Sequence, residues 1–212
     1  MKFIMVLLIS LVLISSVVIA AGPKTGQQVQ SQTQTQTIQQ VKARNTSELR
    51  EMIQERETEM EQEMVNFTET NKNIYQNQNR VRLAVHSLLA MENLTGGIGQ
   101  NISQIAREFN NSVQATIRAE ERIQTRNAIV RFFVGGDEEA AEEIEQEVNQ
   151  NRLRIQQLTQ LRNDCNCSEE IKTMIQEQTQ NMEQEQTRLE QLAQNEKQNK
   201  GLFGWFFAWF RR

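Results

Sequence analysis

Apolar residues recur along most of the chain at alternating steps of three and four, the spacing of one buried helical face. The first stretch predicts a single helix over 45–94, and three further stretches predict helices over 98–134, 137–163 and 168–199. The apolar positions predicted to face inward are Ile53, Met60, Met64, Phe67, Ile74, Val81, Val85 and Leu88 in the first helix, Ile102, Ile105, Phe109, Val113, Ile117, Ile123 and Val130 in the second, Ala141, Ile144, Val148, Ile155 and Leu158 in the third, and Ile171, Ile175, Met182, Leu189 and Leu192 in the fourth. Asn71, Gln78, Asn151 and Gln178 have the same spacing, and polar residues in a helical seam fix its register at a cost in stability.

Short connections join the predicted helices. Gly96–Gly97 and Gly135–Gly136 allow the preceding helices to end with a residue in the left-handed backbone conformation, whereas the connection 163–167 has no glycine. Asp137 and Ser168 are predicted N-caps, each followed by two glutamates. Because short connections make neighbouring helices antiparallel, the predicted fold is all-α, a long antiparallel coiled coil or elongated four-helix bundle over 45–200, preceded by an N-terminal hydrophobic helix for export or anchoring. The summed helix lengths predict that the last helix ends near the level at which the first begins.

Composition narrows the class of function. The 212 residues include one Pro, nine Gly, 38% hydrophobic and 6% aromatic residues, which favours a thin seam between helices over the thick core of an α/β enzyme. With 27 acidic and 23 basic residues the net charge is -4, and no concentrated basic face is available for phosphates. We therefore expect no nucleic-acid partner.

The N-terminal segment predicts export. Lys2 precedes an apolar run through Ala21, so 1–21 is either a signal peptide cleaved after Ala20 or an uncleaved membrane anchor, since about 20 apolar residues span a bilayer. Both alternatives place the rest of the chain outside the cytoplasm, as a secreted or membrane-anchored protein of the cell surface. The Gln/Thr-rich segment 22–44 predicts a flexible linker.

The C-terminal segment 201–212 predicts an aromatic membrane-interfacial tail. A helix of ten residues is only about 15 Å long and is too short to cross a bilayer, but aromatic rings beside terminal arginines suit the headgroup level. The candidate interface residues are Trp205, Phe206, Trp209, Phe210, Arg211 and Arg212. The expected partner is membrane lipid at one or both ends of the molecule; packing of the tail onto the helices, a homo-oligomer and an envelope protein partner stay open.

Six Asn-x-Ser/Thr sequons are candidate N-glycosylation sites, as expected of an extracellular glycoprotein: Asn45, Asn66, Asn93, Asn101, Asn110 and Asn166. A chain rich in Asn and Thr also produces such triplets by composition alone. Unmodified asparagines are therefore the alternative.

Cys165 and Cys167, the two cysteines of the chain, are candidates for a disulfide or redox site. A bond between them, a bond to a second subunit and free thiols all stay open. We expect no metal, because structural zinc needs four ligands and the single histidine, His86, belongs to another predicted helix. No cofactor and no catalytic residue is expected, because no nucleophile has a nearby histidine and the glutamate pairs lie on solvated helix faces.

The segments Val81–Gly97, Ala106–Ser112 and Arg131–Asp137 resemble a group of small exported helical proteins of methanogenic archaea. The resemblance implies an archaeal cell surface and no particular activity. The sequence thus favours a non-catalytic, membrane-attached extracytoplasmic coiled-coil protein, a structural spacer or interaction element of the cell envelope. The alternative is an extracytoplasmic sensory or ligand-binding helical bundle that acts through a separate membrane partner.

Overall fold

The structure is a computed structural model that describes residues 42–203. Of these residues 88% are helical and none lies in a strand, which confirms the all-α prediction. The described α-helices, with short 3-10 turns between some of them, are α1 Thr46–Glu63, α2 Glu69–Ala90, α3 Gly99–Thr125, α4 Ala128–Phe133, α5 Glu138–Asp164 and α6 Glu169–Gln198. The predicted export segment 1–21 and all but the end of the linker 22–44 lie outside the described residues.

The last two long helices, α5 and α6, begin and end within about one residue of the predicted ranges. The carboxylate of Asp137 accepts a hydrogen bond from the backbone N–H of Ala140 at 3.0 Å, and the hydroxyl of Ser168 accepts one from Ile171 at 3.3 Å. Both predicted N-caps are confirmed. Each satisfies a backbone donor that the first helical turn leaves without an intrahelical partner.

The segment 45–94, predicted as one helix, forms two antiparallel helices, α1 and α2. α1 ends at Glu63, and a 3-10 turn leads to Thr68, whose hydroxyl accepts a hydrogen bond from Asn71 N–H and caps α2. Arg82 of α2 reaches back to Glu63 at 2.7 Å, because α1 folds along α2. The single-helix prediction was wrong because it equated the absence of Gly and Pro with the absence of a break. A Thr N-cap begins a new helix without either residue.

The segment 98–134 is divided in the same way. Arg126 and Asn127 leave the helical region at ψ 125° and 132°, and the Asn127 side chain accepts a hydrogen bond from Ile129 N–H at 2.8 Å. α4 therefore starts in a new direction. Val130, predicted to face inward, is 40% exposed.

The interior lies between α2, α3, α5 and α6: α2 and α5 each pack against both α3 and α6. It contains two apolar clusters. The larger surrounds Phe109, Leu88 and Leu158, and the smaller surrounds Ile144 and Leu189 and is rich in alanine. In the predicted helices 98–134, 137–163 and 168–199, the apolar residues predicted to face inward are buried, with the exceptions of Val130 and the half-buried Leu192. Each of the buried residues lies in one of these two clusters.

Polar side chains lie at the border between the two clusters. Asn151 of α5 donates to Ser112 of α3 at 2.7 Å and to Gln186 of α6 at 3.1 Å, so one buried amide joins three helices. Nearby, Arg188 of α6 binds both carboxylate oxygens of Glu120 of α3 at 2.8 and 2.6 Å. Such buried contacts are satisfied only when the helices have one relative register.

The described chain begins and leaves at opposite ends of the helices. Ala43 donates its backbone N–H to the carbonyl of Ala90 at 2.9 Å, beside the end of α2. Gly136 donates to the carbonyl of Asn199 at 2.6 Å, beside the turn between α4 and α5. α3, with 27 residues and a length of about 40 Å, runs from the first end to the second. The predicted return of the last helix to the starting level is wrong, because α1 adds a pass along the helices that the single-helix prediction lacked.

Candidate membrane-contact site

Exposed apolar side chains gather at the end where the described chain leaves. This end surface consists of Ile129, Val130, Phe132, Phe133, Val134, Leu202 and Phe203, whose exposed fractions run from 39% to 67%. Elsewhere in the described residues, large exposed apolar side chains occur singly, at Val65 and Leu153. Single exposed apolar residues are ordinary, whereas a contiguous group marks an interaction site.

The helix α4 is turned with its apolar residues outward. Five of its six residues are apolar, and its one charged residue, Arg131, points inward. Arg131 donates to the carboxylate of Glu196 at 2.7 Å and to the carbonyl of Ile123 at 2.6 Å. Because the guanidinium of Arg131 occupies the inward side of α4, the apolar side chains of α4 face solvent.

Glu196 of α6 connects several segments at this end of the molecule by hydrogen bonds. It is 4% exposed, and while one carboxylate oxygen accepts the Arg131 hydrogen bond, the other accepts the backbone N–H of Asp137 at 2.7 Å. One buried carboxylate therefore joins α4, the start of α5 and α6. A buried charge with both oxygens used holds its partners in one geometry.

Two glycines let the backbone of the end surface come close together. Gly135 has φ +105° and Gly201 has φ +60°, and a Cβ on either would collide with the backbone of the other segment. This approach stacks Phe203 on Phe133 with ring centroids 5.7 Å apart, and Phe132 meets Phe133 edge to face at 5.0 Å. Residues 201–203 thus continue the apolar surface of α4.

The six predicted interface residues, Trp205, Phe206, Trp209, Phe210, Arg211 and Arg212, lie outside the described residues. The chain enters that segment directly from Phe203 of the end surface. Within residues 42–203, no helix combines the length and the apolarity that crossing a bilayer requires.

The predicted cysteine pair lies at the other end of the helices. Cys165 and Cys167 form a disulfide with each other in the turn between α5 and α6. The sulfur of Cys165 lies 3.6 Å from the carbonyl oxygen of Thr95, so this turn packs against the turn between α2 and α3. The disulfide end carries none of the exposed large apolar side chains of the described residues.

His86, the one histidine, lies half-buried between α1 and α2. Burial, helped by the nearby guanidinium of Arg56, lowers its pKa. In residues 42–203 no three His, Cys, Asp or Glu side chains are arranged to hold a metal ion. An open groove of about 420 Å³ between α3 and α5 is lined by four Asn or Gln side chains, two carboxylates and two apolar side chains, and by neither histidine nor cysteine.

Neither the separate helix α4 nor the inward contacts of Arg131 and Glu196 were predicted from the sequence. The available signal was the run Ile129 to Val134, in which apolar residues occupy every side of a helix and therefore cannot all face one seam. Comparison of the chain with protein-family models, with curated proteins and with solved structures found no match.

Proposed function

We propose that the protein is a non-catalytic, membrane-attached spacer or interaction element of the extracytoplasmic cell envelope. In this proposal α2, α3, α5 and α6 form an elongated antiparallel four-helix bundle, α1 lies along it, and the end surface rests in the lipid interface. The observation that carries the proposal is the continuity of the end surface with the aromatic tail 204–212.

The size of the end surface supports lipid as its occupant. Complete burial of one large apolar side chain contributes about 1.5–3 kcal/mol, so a half-exposed one contributes about 1 kcal/mol. Seven such side chains contribute about 7 kcal/mol, equivalent to a dissociation constant of about 10 μM before any contribution from the tail. The tail adds Trp and Phe rings and two arginines, residues suited to the headgroup region.

The opposite end supports the role of a spacer. With the end surface in the membrane, the turns at Thr95 and Cys165 would stand about 40 Å away, the length of α3. The four long helices contain polar interior contacts that favour one register, as a rigid spacer needs.

The test is flotation of the full chain with vesicles of phosphatidylcholine and phosphatidylglycerol. The variant Ile129→Ser/Phe132→Ser removes two exposed residues of the end surface, and Leu153→Ser and Val65→Ser are matched controls at exposed sites elsewhere. We expect the double variant to weaken vesicle binding about 30-fold, from a loss of about 2 kcal/mol, and the controls to change it less than about twofold.

Two results would contradict the proposal. One is equal flotation of the double variant and the controls. The other is a homodimer in sedimentation experiments without lipid that the double variant dissociates, since a second copy would then be the occupant of the end surface.

A further inference from the structure

The six sequons differ in how the folded chain presents them, although all six asparagines are exposed. Glycan transfer requires the Asn amide and the hydroxyl two residues later to be recognised together. In an extended segment, side chains two residues apart point to the same side. In a helix they are separated by about 200° around the axis.

Two sequons lie within α3. Asn101 and Asn110 are exposed, but their hydroxyl partners Ser103 and Ser112 are 1% and 2% exposed on the opposite face. Ser103 donates to a carboxylate oxygen of Glu92 at 2.6 Å, and Ser112 accepts the Asn151 amide. Presentation of either sequon therefore requires α3 to unfold locally.

Two more sequons are engaged by helix ends. The Asn45 side chain caps α1 by accepting the backbone N–H of Glu48 at 2.9 Å, and Ser47 already belongs to the first turn of α1. For Asn93 the hydroxyl partner is Thr95, which is 1% exposed and donates to the carbonyl of Glu92 at 3.0 Å.

The remaining two sequons have their hydroxyl partners exposed in extended connections. Asn66 is the last residue of the 3-10 turn Met64–Asn66, and the chain is extended from Phe67 onward. After Asn66, Phe67 has φ -81° and ψ 150° and Thr68 has φ -64° and ψ 157°. Asn166 lies between the two bonded cysteines, and its hydroxyl partner Ser168 has φ -64° and ψ 153°. Thr68 and Ser168 accept hydrogen bonds as N-caps, which leaves the hydroxyl proton of each free to donate.

We infer that Asn66 and Asn166 are N-glycan acceptors of the folded protein and that the other four sequons are not used. In the transfer, Nδ2 of the asparagine attacks the anomeric carbon of a polyprenyl-phosphate-linked oligosaccharide. The N–C bond forms as the C–O bond to phosphate breaks, the lipid phosphate leaves with the bonding electrons, and a base of the transferase takes the amide proton. In the cell this inference rests on the proposed extracytoplasmic location.

The test uses the purified full chain, a single-subunit oligosaccharyltransferase and its lipid-linked oligosaccharide, with peptide mapping by mass spectrometry. On the folded chain we expect Asn66 and Asn166 to be modified at least about tenfold faster than Asn101 and Asn110, because each 1.4 kcal/mol of local unfolding lowers the reactive population tenfold. Chain unfolded in urea before a rapid dilution into the reaction should lose this preference.

Matched variants of Thr68 separate an effect on the sequon at Asn66 from an effect on folding. Thr68→Ser retains both the N-cap and the sequon and should retain transfer at Asn66, whereas Thr68→Val should abolish it while circular dichroism follows the helix content. Equal modification of Asn101 and Asn66 in the folded chain, or modification of neither Asn66 nor Asn166 when isolated sequon peptides react, would overturn the inference. The glycan-transfer reaction does not require the protein to bind a membrane. Its result therefore does not depend on whether the protein binds vesicles in the flotation experiment.

Discussion

Replacing Glu120 by Gln should destabilise the fold much more than replacing Glu185 by Gln, although both carboxylates bind the guanidinium of Arg188. Glu120 lies on α3 and connects it to α6 through two parallel hydrogen bonds at 2.8 and 2.6 Å. Glu185 lies three residues before Arg188 on α6 and binds it at 2.9 and 2.7 Å. The first pair is a contact between helices, whereas the second is local to one helix.

The structure sets the expected magnitudes. Removing one partner of a buried ion pair costs about 3–5 kcal/mol. The Arg188 side chain is 30% exposed and retains Glu185 in the Glu120→Gln variant, so we expect a smaller loss, about 2–3 kcal/mol. For Glu185→Gln we expect a change of about 1 kcal/mol or less, because the amide oxygen still accepts from Arg188 and burial already disfavours the carboxylate.

The pair of Glu185 and Arg188 also predicts that the stability of the fold depends on pH. Burial raises the pKa of Glu185, against the opposing effect of the hydrogen bonds from Arg188. Between the unfolded pKa of about 4.3 and the raised folded pKa, the native state binds more protons than the unfolded state, so this group makes unfolding harder as pH falls. Relative to the wild type, Glu185→Gln should therefore lose stability at the acidic side of this window and gain it at neutral pH.

Urea denaturation followed by far-UV circular dichroism, repeated between about pH 5 and pH 8, measures both effects. Glu183→Gln, at an exposed position on α6, is the control and should change stability by less than about 0.5 kcal/mol. If Glu120→Gln costs no more than this control, the carboxylate does not hold α3 to α6. If wild type and Glu185→Gln share one pH profile, the raised pKa is refuted.

Three further substitutions test other parts of the structure. Asn151→Leu leaves the buried partners Ser112 of α3 and Gln186 of α6 unsatisfied and should lower stability by about 2–4 kcal/mol in urea denaturation; a neutral result would contradict its role in register. Gly135→Ala should cost more than about 1 kcal/mol in thermal denaturation, because φ is +105° and a Cβ meets backbone, whereas Gly97→Ala, with open space, should change stability by less than about 0.5 kcal/mol; equal effects would refute the close approach. Leu49→Ala, which empties a fully buried site on α1, should cost about 2–3 kcal/mol and accelerate hydrogen exchange in α1 more than in α3; uniform acceleration would show that α1 does not open separately.

The parts of the fold that local chemistry determines could be predicted from the sequence. Asp137 and Ser168 mark the starts of α5 and α6 because each offers a capping oxygen followed by two acidic residues. Gln78 and Asn151 follow the apolar spacing, and both are buried as that spacing implies.

The parts that depend on distant contacts could not be predicted. The spacing through Phe67 is compatible with one continuous helix. Thr68 can cap a new helix there, but only packing of α1 on α2 selects the turn over a continuous helix. Likewise, Arg131 and Glu196 are 65 residues apart, and no local pattern indicates that their contact turns the apolar side of α4 outward. The tail was predicted as an apolar element, but the surface that it continues was not.

Lys42 and Phe203, where the described residues begin and end, lie at opposite ends of the helices, and this has a mechanical consequence. A pull applied between Lys42 and Phe203 acts along the helix axes, so α1 and α6 must slide past their neighbours with many side-chain contacts loaded in parallel. Had both ends emerged at one end, the same pull would have peeled the helices apart a few contacts at a time. Resistance to force is set by the unfolding rate, so we expect this arrangement to unfold slowly under a pull along the helix axes.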